Sequence, residues 1–446
     1  MKKVLLVALG STARADCLAH AIHKSHDSQL HSFIQSKNPS VIHLSKSHQI
    51  GKLDDFSQIK KYANKVKPDL AIISPDYAIA IGVADILAEL NIPVFAPKKS
   101  LARLESSKSF TRKLLEKYQI AGSPEHKVFE SLDGIRDYML YLKDFVVKPD
   151  GLTGGKGVKV FGEHMKTIDE AVEYCKEIFK SGGLVVIEEK LLGEEFSIQF
   201  FTDGKVCLPS PIVQDHKRAF DGDFGPNTGG MGSYSAANHL LPFLTKDHLQ
   251  DAQHITNKVA FALKEEFHEY FCGIMYGGFM LTSDGVKLIE YNARFGDPEI
   301  MNILPILKND FVEVCEAATQ GRLDKIKLTF EEKATVVKYA VPEGYPENPK
   351  KGEIIDISEF ANSTAKYYLG AVEEFDPKYP WKLKMGSSRA IATVGIANTI
   401  EEAETIAEHS IRMIRGPVFH RKDIGTKELL QKKGRSHQLS KKALIR

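Results

Sequence analysis

Glu290 and Asn292 stand two residues apart in the stretch Val286-Lys287-Leu288-Ile289-Glu290-Tyr291-Asn292. On a strand this spacing puts both side chains on one face, where they can present oxygens to a single Mg²⁺. Magnesium keeps waters and phosphate oxygens as its other ligands, so two protein oxygens suffice. The antiparallel neighbour expected for this strand, Gly278-Phe279-Met280-Leu281, adds no carboxylate. Arg294 continues the same face, and a guanidinium there can hold a transferring phosphoryl group or an acyl phosphate. The plainer alternative is a structural ion pair between Arg294 and Asp297.

A second group surrounds the glycine run from Lys148 to Val158. A P-loop would need Ser or Thr after Gly155-Lys156, but Gly157 stands there, and Val158 to Phe161 reads as a strand where a helix should follow. The expectation is a hairpin flap in which Gly154, Gly155 and Gly157 let backbone N–H groups approach phosphates, with Lys156 and Lys148 as positive charges. A plain flexible hairpin fits the run equally well. Downstream, the apolar strand Leu184 to Ile187 runs into Glu188, Glu189, Lys190 and Leu191, then Glu194 and Glu195. Backbone groups at Glu189 and Leu191 can meet an adenine edge and Glu195 can accept ribose hydroxyls; a strand end with solvated glutamates is the competing reading.

The segment Gln214 to Gly232 is polar and glycine-rich, and is expected as a long functional loop. Lys217 or Arg218 could grip a carboxylate and Asp215 an ammonium, with His216 structural.

These groups need elements to position them. The 446-residue chain is too long for one core and suggests three domains with clefts between them. Residues 1–105 alternate apolar runs (Val4 to Leu9, Val41 to Leu44, Leu70 to Ile73, Val94 to Ala96) with helical patterns such as Ile79 to Leu90, the mark of a doubly wound parallel α/β sheet. Residues 106–325 should form an α+β core, opened by a helix from Ser107 to Tyr118 and carrying a small lid at about 125–192. Residues 326–425 read as a third, α+β domain, and 426–446 as a basic, solvated tail. A net charge of +2, with 43% hydrophobic and 26% charged residues, gives no general pull toward nucleic acid or membrane. Cys17, Cys175, Cys207, Cys272 and Cys315 are scattered, as in a reducing cytoplasm, and no apolar run is long enough to span a bilayer.

Together the segments resemble the ATP-grasp ligases and, among them, the phosphoribosylamine-glycine ligases, from about Lys3 to Gly425. The most specific matches are 214–218, 225–232 and Asn292-Ala293-Arg294-Phe295-Gly296-Asp297-Pro298-Glu299. The resemblance implies ATP contacts at Lys108, Lys148, Glu188, Glu189, Leu191 and Glu195, and metal ligands, for Mg²⁺ or Mn²⁺, at Glu290 and Asn292. It further implies catalytic roles for Arg294, Asp297 and Lys148, and substrate contacts at Arg14, Asp215, Lys217, Arg218, Asn227, Thr228, Gly229, Gly230 and Arg294. The implied reaction phosphorylates glycine with ATP and captures the acyl phosphate with phosphoribosylamine, in a monomer or dimer whose partners are small molecules.

Departures gather in the first domain. Gly10-Ser11-Thr12-Ala13-Arg14-Ala15-Asp16 replaces a Gly-Ser-Gly-Gly-Arg-Glu-His pattern, Asn38-Pro39-Ser40 replaces Asn-Pro-Gly, and Ser74-Pro75-Asp76 replaces Gly-Pro-Glu. Ser387-Ser388-Arg389 replaces Gly-Gly-Arg near the end. Two further readings therefore stay open: a paralogue serving another amine, and a weakly catalytic nucleotide-binding module.

Overall fold

The computed structural model describes residues 1–152, 154 and 157–432. The first domain is a five-stranded parallel sheet in which Lys2–Ala8 lies between Ser28–Ile34 and Leu70–Ile73, with Ser47–Ile50 and Val94–Phe95 at the edges. Helices cover both faces, so Val4 to Ala8 are completely buried and read as one apolar run. The chain leaves this strand through Gly10 at φ +82°, where a Cβ would stand 1.9 Å from the Ser36 carbonyl oxygen, so glycine is required. Thr12 then caps the helix Ala13–Lys24.

Two expectations fail here for local reasons. Val41 to Leu44 is the end of a helix, Pro39–Leu44, because Pro39 occupies its first turn and the Asn38 side chain accepts from the Ser40 and Val41 N–H groups. The strand beside Lys2–Ala8 is instead Ser28–Ile34, whose Gln29, His31 and Ser32 dilute the apolar signal. The helical run from Ile79 is broken at Gly82, φ +99°, into Asp76–Ile81 and Val83–Ala88.

Beyond the helix Lys108–Lys117 comes a four-stranded sheet in the order His126–Phe129, Val185–Glu189, Phe145–Pro149, Lys159–Val160. Helices Ile135–Leu142 and Ile168–Lys180 pack on it, and Phe129, Met139, Phe145, Val147, Cys175 and Ile187 belong to a core of its own. A short turn leads into the floor, an antiparallel sheet ordered Cys207–Pro209, Glu194–Thr202, Gly273–Thr282, Gly285–Asn292 and backed by the helix Lys246–Phe267.

The segment expected as a loop is largely extended. Gln214–Asp215 and Gly232–Ser235 join the sheet of the third region through Ala334–Pro342, Ile391–Ala397 and Lys366–Leu369, while Arg218–Phe220 and Phe224–Asn227 form a hairpin. Backbone pairing with residues a hundred positions downstream turns a polar run into strands, and nothing local announces it. Lys338 is fully buried in this sheet, yet its ammonium is satisfied by Glu404 at 2.6 Å, Glu408 at 2.7 Å and the Lys422 carbonyl at 2.8 Å.

The helix Ile400–Ile411 packs on the strand carrying Gly395, where a Cβ would lie 1.8 Å from the Ala403 carbonyl oxygen. Gly395→Ala is therefore expected to destabilise the protein by about 3 kcal/mol, the upper range for overpacking. An unchanged urea midpoint would show that strand and helix can part at little cost. No helix among the described residues is long and apolar enough to cross a membrane. The basic tail is described only as far as Lys432.

Candidate active site

Glu290 and Asn292 lie at the end of the floor strand Gly285–Asn292, opposite Gly278 and Tyr276 respectively. The register shifts by one residue at Ile289, so Leu288 faces the core while Glu290 and Ile289 line a narrow cavity with Glu195, Asp215, Lys217 and Tyr276. Burial opposes ionisation of Glu290, but Lys217, Lys148, Lys108 and Arg294 outweigh it and lower its pKa. The Asn292 amide oxygen accepts from Arg294 Nη2 at 2.9 Å. One carboxylate and one amide oxygen are hard donors that suit a magnesium ion completed by phosphate and water. Among the described residues no group of three His, Cys, Asp or Glu side chains could hold a metal by itself.

Lys148 projects from the lid strand Phe145–Pro149 onto Glu188 of the neighbouring strand, 2.6 Å away. Arg112, from the helix Lys108–Lys117, meets the same carboxylate at 2.6 and 3.0 Å and also donates to the carbonyls of Leu288 and Ile289. Glu188 was expected to touch ATP; here it is the buried counter-ion of Arg112 and Lys148, both long-range partners. Lys108 donates to Gly151 O at 2.8 Å, and burial lowers its pKa. Asp150 accepts from the Ser109 N–H at 3.1 Å, tying the base of the flap to the start of the same helix. Of the flap glycines, Gly154 at φ +57° and Gly157 are described, whereas Gly155 and Lys156 lie outside the described residues.

At the lid–floor turn, the Glu189 N–H is spent on Glu125 O at 2.9 Å and its carboxylate folds back onto the Glu125 N–H at 2.8 Å. Of the two residues expected at the adenine edge, Glu189 is therefore committed through its N–H, and Leu191 follows in the turn. Glu195 lies 3.8 Å from Lys217 across the cavity mouth and is the main cause of that lysine's raised pKa.

The polar segment divides. Asp215 and Lys217 line the cavity, and the Asp215 pKa is raised well above the ordinary value by burial and then by Glu299, which sequence reasoning did not single out. Arg218 turns away, to Gly225 O at 3.0 Å and to Glu163 of the lid at 3.0 Å, so its side chain does not face the cavity as expected. Asn227 pairs with Arg218 in the hairpin. Thr228 shapes the turn by bonding to Lys217 O at 2.9 Å and accepting from Gly230 N–H at 3.0 Å. Gly230 has φ +108°, and a Cβ there would stand 2.6 Å from both Asp215 Oδ1 and Pro298 Cδ.

Arg294 pairs with Glu105 at 3.0 Å, and Asp297 pairs with Arg389 at 3.2 Å, so the local Arg294–Asp297 pair is not formed. Arg14 reaches from the first domain to Phe295 O at 2.8 Å, and Gln199 accepts from the Gly296 N–H at 2.8 Å. Around this short backbone segment the buried atoms Arg14 Nε, Gln199 Nε2, Arg294 Nε and Asp297 Oδ2 have no hydrogen-bond partner among the described residues. Unpaired buried polar atoms are rare and costly, and four beside one another mark a place built for a polar ligand. Glu105 and Gln199 carried no sequence signal, since each acts across a long sequence gap.

Buried lysines held between a small lid sheet and an antiparallel floor agree with the match that places the chain among the ATP-grasp enzymes, which use ATP with a divalent metal. Models of one family match nearly the whole chain: phosphoribosylglycinamide synthetase N domain over residues 2–105, ATP-grasp (A) domain over 106–300 and C domain over 335–427. A phosphoribosylamine-glycine ligase of Methanocaldococcus jannaschii is 48% identical over 441 residues, covering 97% of this chain and 98% of its own. That of Pyrococcus abyssi is 43% identical over 437 residues, covering 97% of each chain. The crystal structure of phosphoribosylamine-glycine ligase from Thermotoga maritima superposes with a TM-score of 0.78 at 26% identity, over 94% of this chain and 99% of that one. The chain belongs to the phosphoribosylglycinamide synthetase family.

Proposed function

We propose that this enzyme, an ATP-dependent ligase forming a C–N bond, joins glycine to 5-phosphoribosylamine in purine biosynthesis, and that Lys148, Lys108, Lys217 and Arg294 steady the phosphoryl group in flight. The observation that carries the assignment of these roles is the convergence of the four cations on Glu290 from a lid strand, a helix, the polar segment and the end of the floor strand. A glycine carboxylate oxygen attacks the γ-phosphorus, and the P–O bond to ADP breaks with its electron pair leaving on ADP. The amine nitrogen then attacks the acyl carbon, phosphate departs with the C–O electron pair, and the nitrogen loses a proton. The oxygen pair of Glu290 and Asn292 would hold Mg²⁺ or Mn²⁺, which would supply charge neutralisation to the phosphates when bound. Asp215, with Glu299 beside it, receives the glycine ammonium, and Lys217 lies toward its carboxylate. The lid and flap keep water from the acyl phosphate. A reducing cytoplasm suits the five unpaired cysteines.

Two altered first-domain residues, Asp16 and Thr12, and the retained Asn38 have another use that supports this reading over a changed amine. Asp16 Oδ2 accepts from Leu369 N–H at 2.7 Å, Asn38 donates to Leu369 O at 2.9 Å and to Gly10 O at 2.8 Å, and Thr12 caps its helix. Asp16 and Asn38 seat the third domain on the first and Thr12 fixes the helix start, so Asp16 and Thr12 can differ from the family pattern without changing the substrate. A screen of amine acceptors with glycine and ATP fixed tests this: turnover with another amine but none with phosphoribosylamine sinks it. In the same assay Arg14→Ala is expected to raise the KM for phosphoribosylamine by about tenfold to a hundredfold, the cost of a lost charged hydrogen bond, while that for ATP moves little. Equal effects on the two would place the amine elsewhere.

A further inference from the structure

Arg389 belongs to the third domain, just before the strand Ile391–Ala397, but its guanidinium is spent on the second. Nη1 donates to Gly229 O at 2.7 Å, Gly230 O at 3.0 Å and Asp297 O at 3.0 Å, and stands 3.2 Å from Asp297 Oδ1. The cation sits 4.5 Å from the centre of the Tyr339 ring, whose hydroxyl donates to the same Asp297 oxygen at 2.5 Å. A Cβ on Gly229 would lie 3.1 Å from Nη2, so a glycine there lets the fork lie close against the turn. One nearly buried side chain thus holds the Gly229–Gly230 turn against the Asp297–Pro298 segment. It leaves Asp297 Oδ2 buried, with no partner among the described residues. Gly230 in turn packs on Asp215, the acid-site carboxylate.

We infer that Arg389 is a positioning residue for acid activation: the third domain, through this one guanidinium, sets the turn and the carboxylate that shape the glycine site. The inference rests on the proposed reaction but concerns only its first half. Lysine cannot both place a nitrogen among these oxygens and lay a flat cation over Tyr339 and against Gly229. The rival role, a direct ligand for the phosphate of the amine substrate, would act only in the second half.

Hydroxylamine separates the halves, because it can capture glycyl phosphate as a hydroxamate without any phosphoribosylamine. Hydroxamate formation by the unaltered enzyme with ATP, Mg²⁺ and glycine is the reference that tests acid activation itself, and loss confined to the variants speaks to Arg389. Arg389→Ala is expected to slow hydroxamate formation about a hundredfold with ATP affinity within about twofold, Arg389→Lys to fall nearly as far, and added guanidinium chloride at low concentration to restore part of the rate. Tyr339→Phe, which keeps the ring under the cation, should lose about tenfold. Undiminished hydroxamate formation in Arg389→Ala, with a raised KM for phosphoribosylamine, overturns the inference. So does a parallel loss of ATP affinity and thermal stability in both arginine variants, which would mark a merely structural residue.

Discussion

Glu290→Ala is expected to cut ATP-dependent product formation by about a thousandfold, roughly 4 kcal/mol of transition-state stabilisation. Lys217, Lys148, Lys108 and Arg294 all act on this carboxylate and keep it ionised despite burial. On the proposed function, removing it takes away one of the two oxygens offered to the metal and a carboxylate on which all four cations act. The amide in Glu290→Gln retains an oxygen but no charge, so it should fall between the wild type and the alanine variant. ADP release measured with glycine and phosphoribosylamine saturating reads the effect, and calorimetry with Mg·ATP separates binding from chemistry. If Glu290→Ala keeps more than about a tenth of the wild-type rate, the metal does not sit there.

Glu188→Ala should produce the largest loss of stability, about 3 to 5 kcal/mol, because it strands two buried cations, Arg112 and Lys148, without their shared partner. Burial alone would raise the Glu188 pKa, but Arg112 and then Lys148 outweigh it and bring it from 4.5 down to about 2. A folded-state pKa below the unfolded one contributes stability that is complete above the unfolded value and is lost as pH falls through the folded one. The wild-type and Glu188→Ala curves should therefore be parallel near neutral pH and converge between about pH 4.5 and 2. Urea unfolding across that window measures it. A variant of undiminished stability that has lost only ATP affinity would mean that Glu188 touches the nucleotide directly. The distinction matters because Arg112 also holds the Leu288 and Ile289 carbonyls, where the floor strand shifts register before Glu290. Disturbing the ion group is therefore expected to disturb the metal position too.

Local order was readable wherever it is periodic or punctuated. Glu290 and Asn292 share a face because strand side chains alternate, and Lys148 precedes a glycine flap because the apolar run stops there. The family match likewise followed from unbroken stretches of residues. By contrast, the register shift at Ile289, the Glu105 partner of Arg294 and the pairing of Gln214–Asp215 with Gly232–Ser235 depend on residues far apart in sequence. Arg218 looked like a substrate ligand because of its charge and neighbours, and only the position of Glu163 in the lid turned it elsewhere.

By itself the amino-acid order determined that this is an ATP-grasp ligase, since the family is written in contiguous motifs, and it put Glu290 and Asn292 on one strand face, since that is written in spacing. Only the tertiary structure decided which charges are spent on one another, namely Arg112 and Lys148 with Glu188, Arg294 with Glu105 and Arg389 with Asp297. The physical reason is that spacing sets the direction of a side chain, whereas the partner it meets is set by packing between elements that share no sequence period.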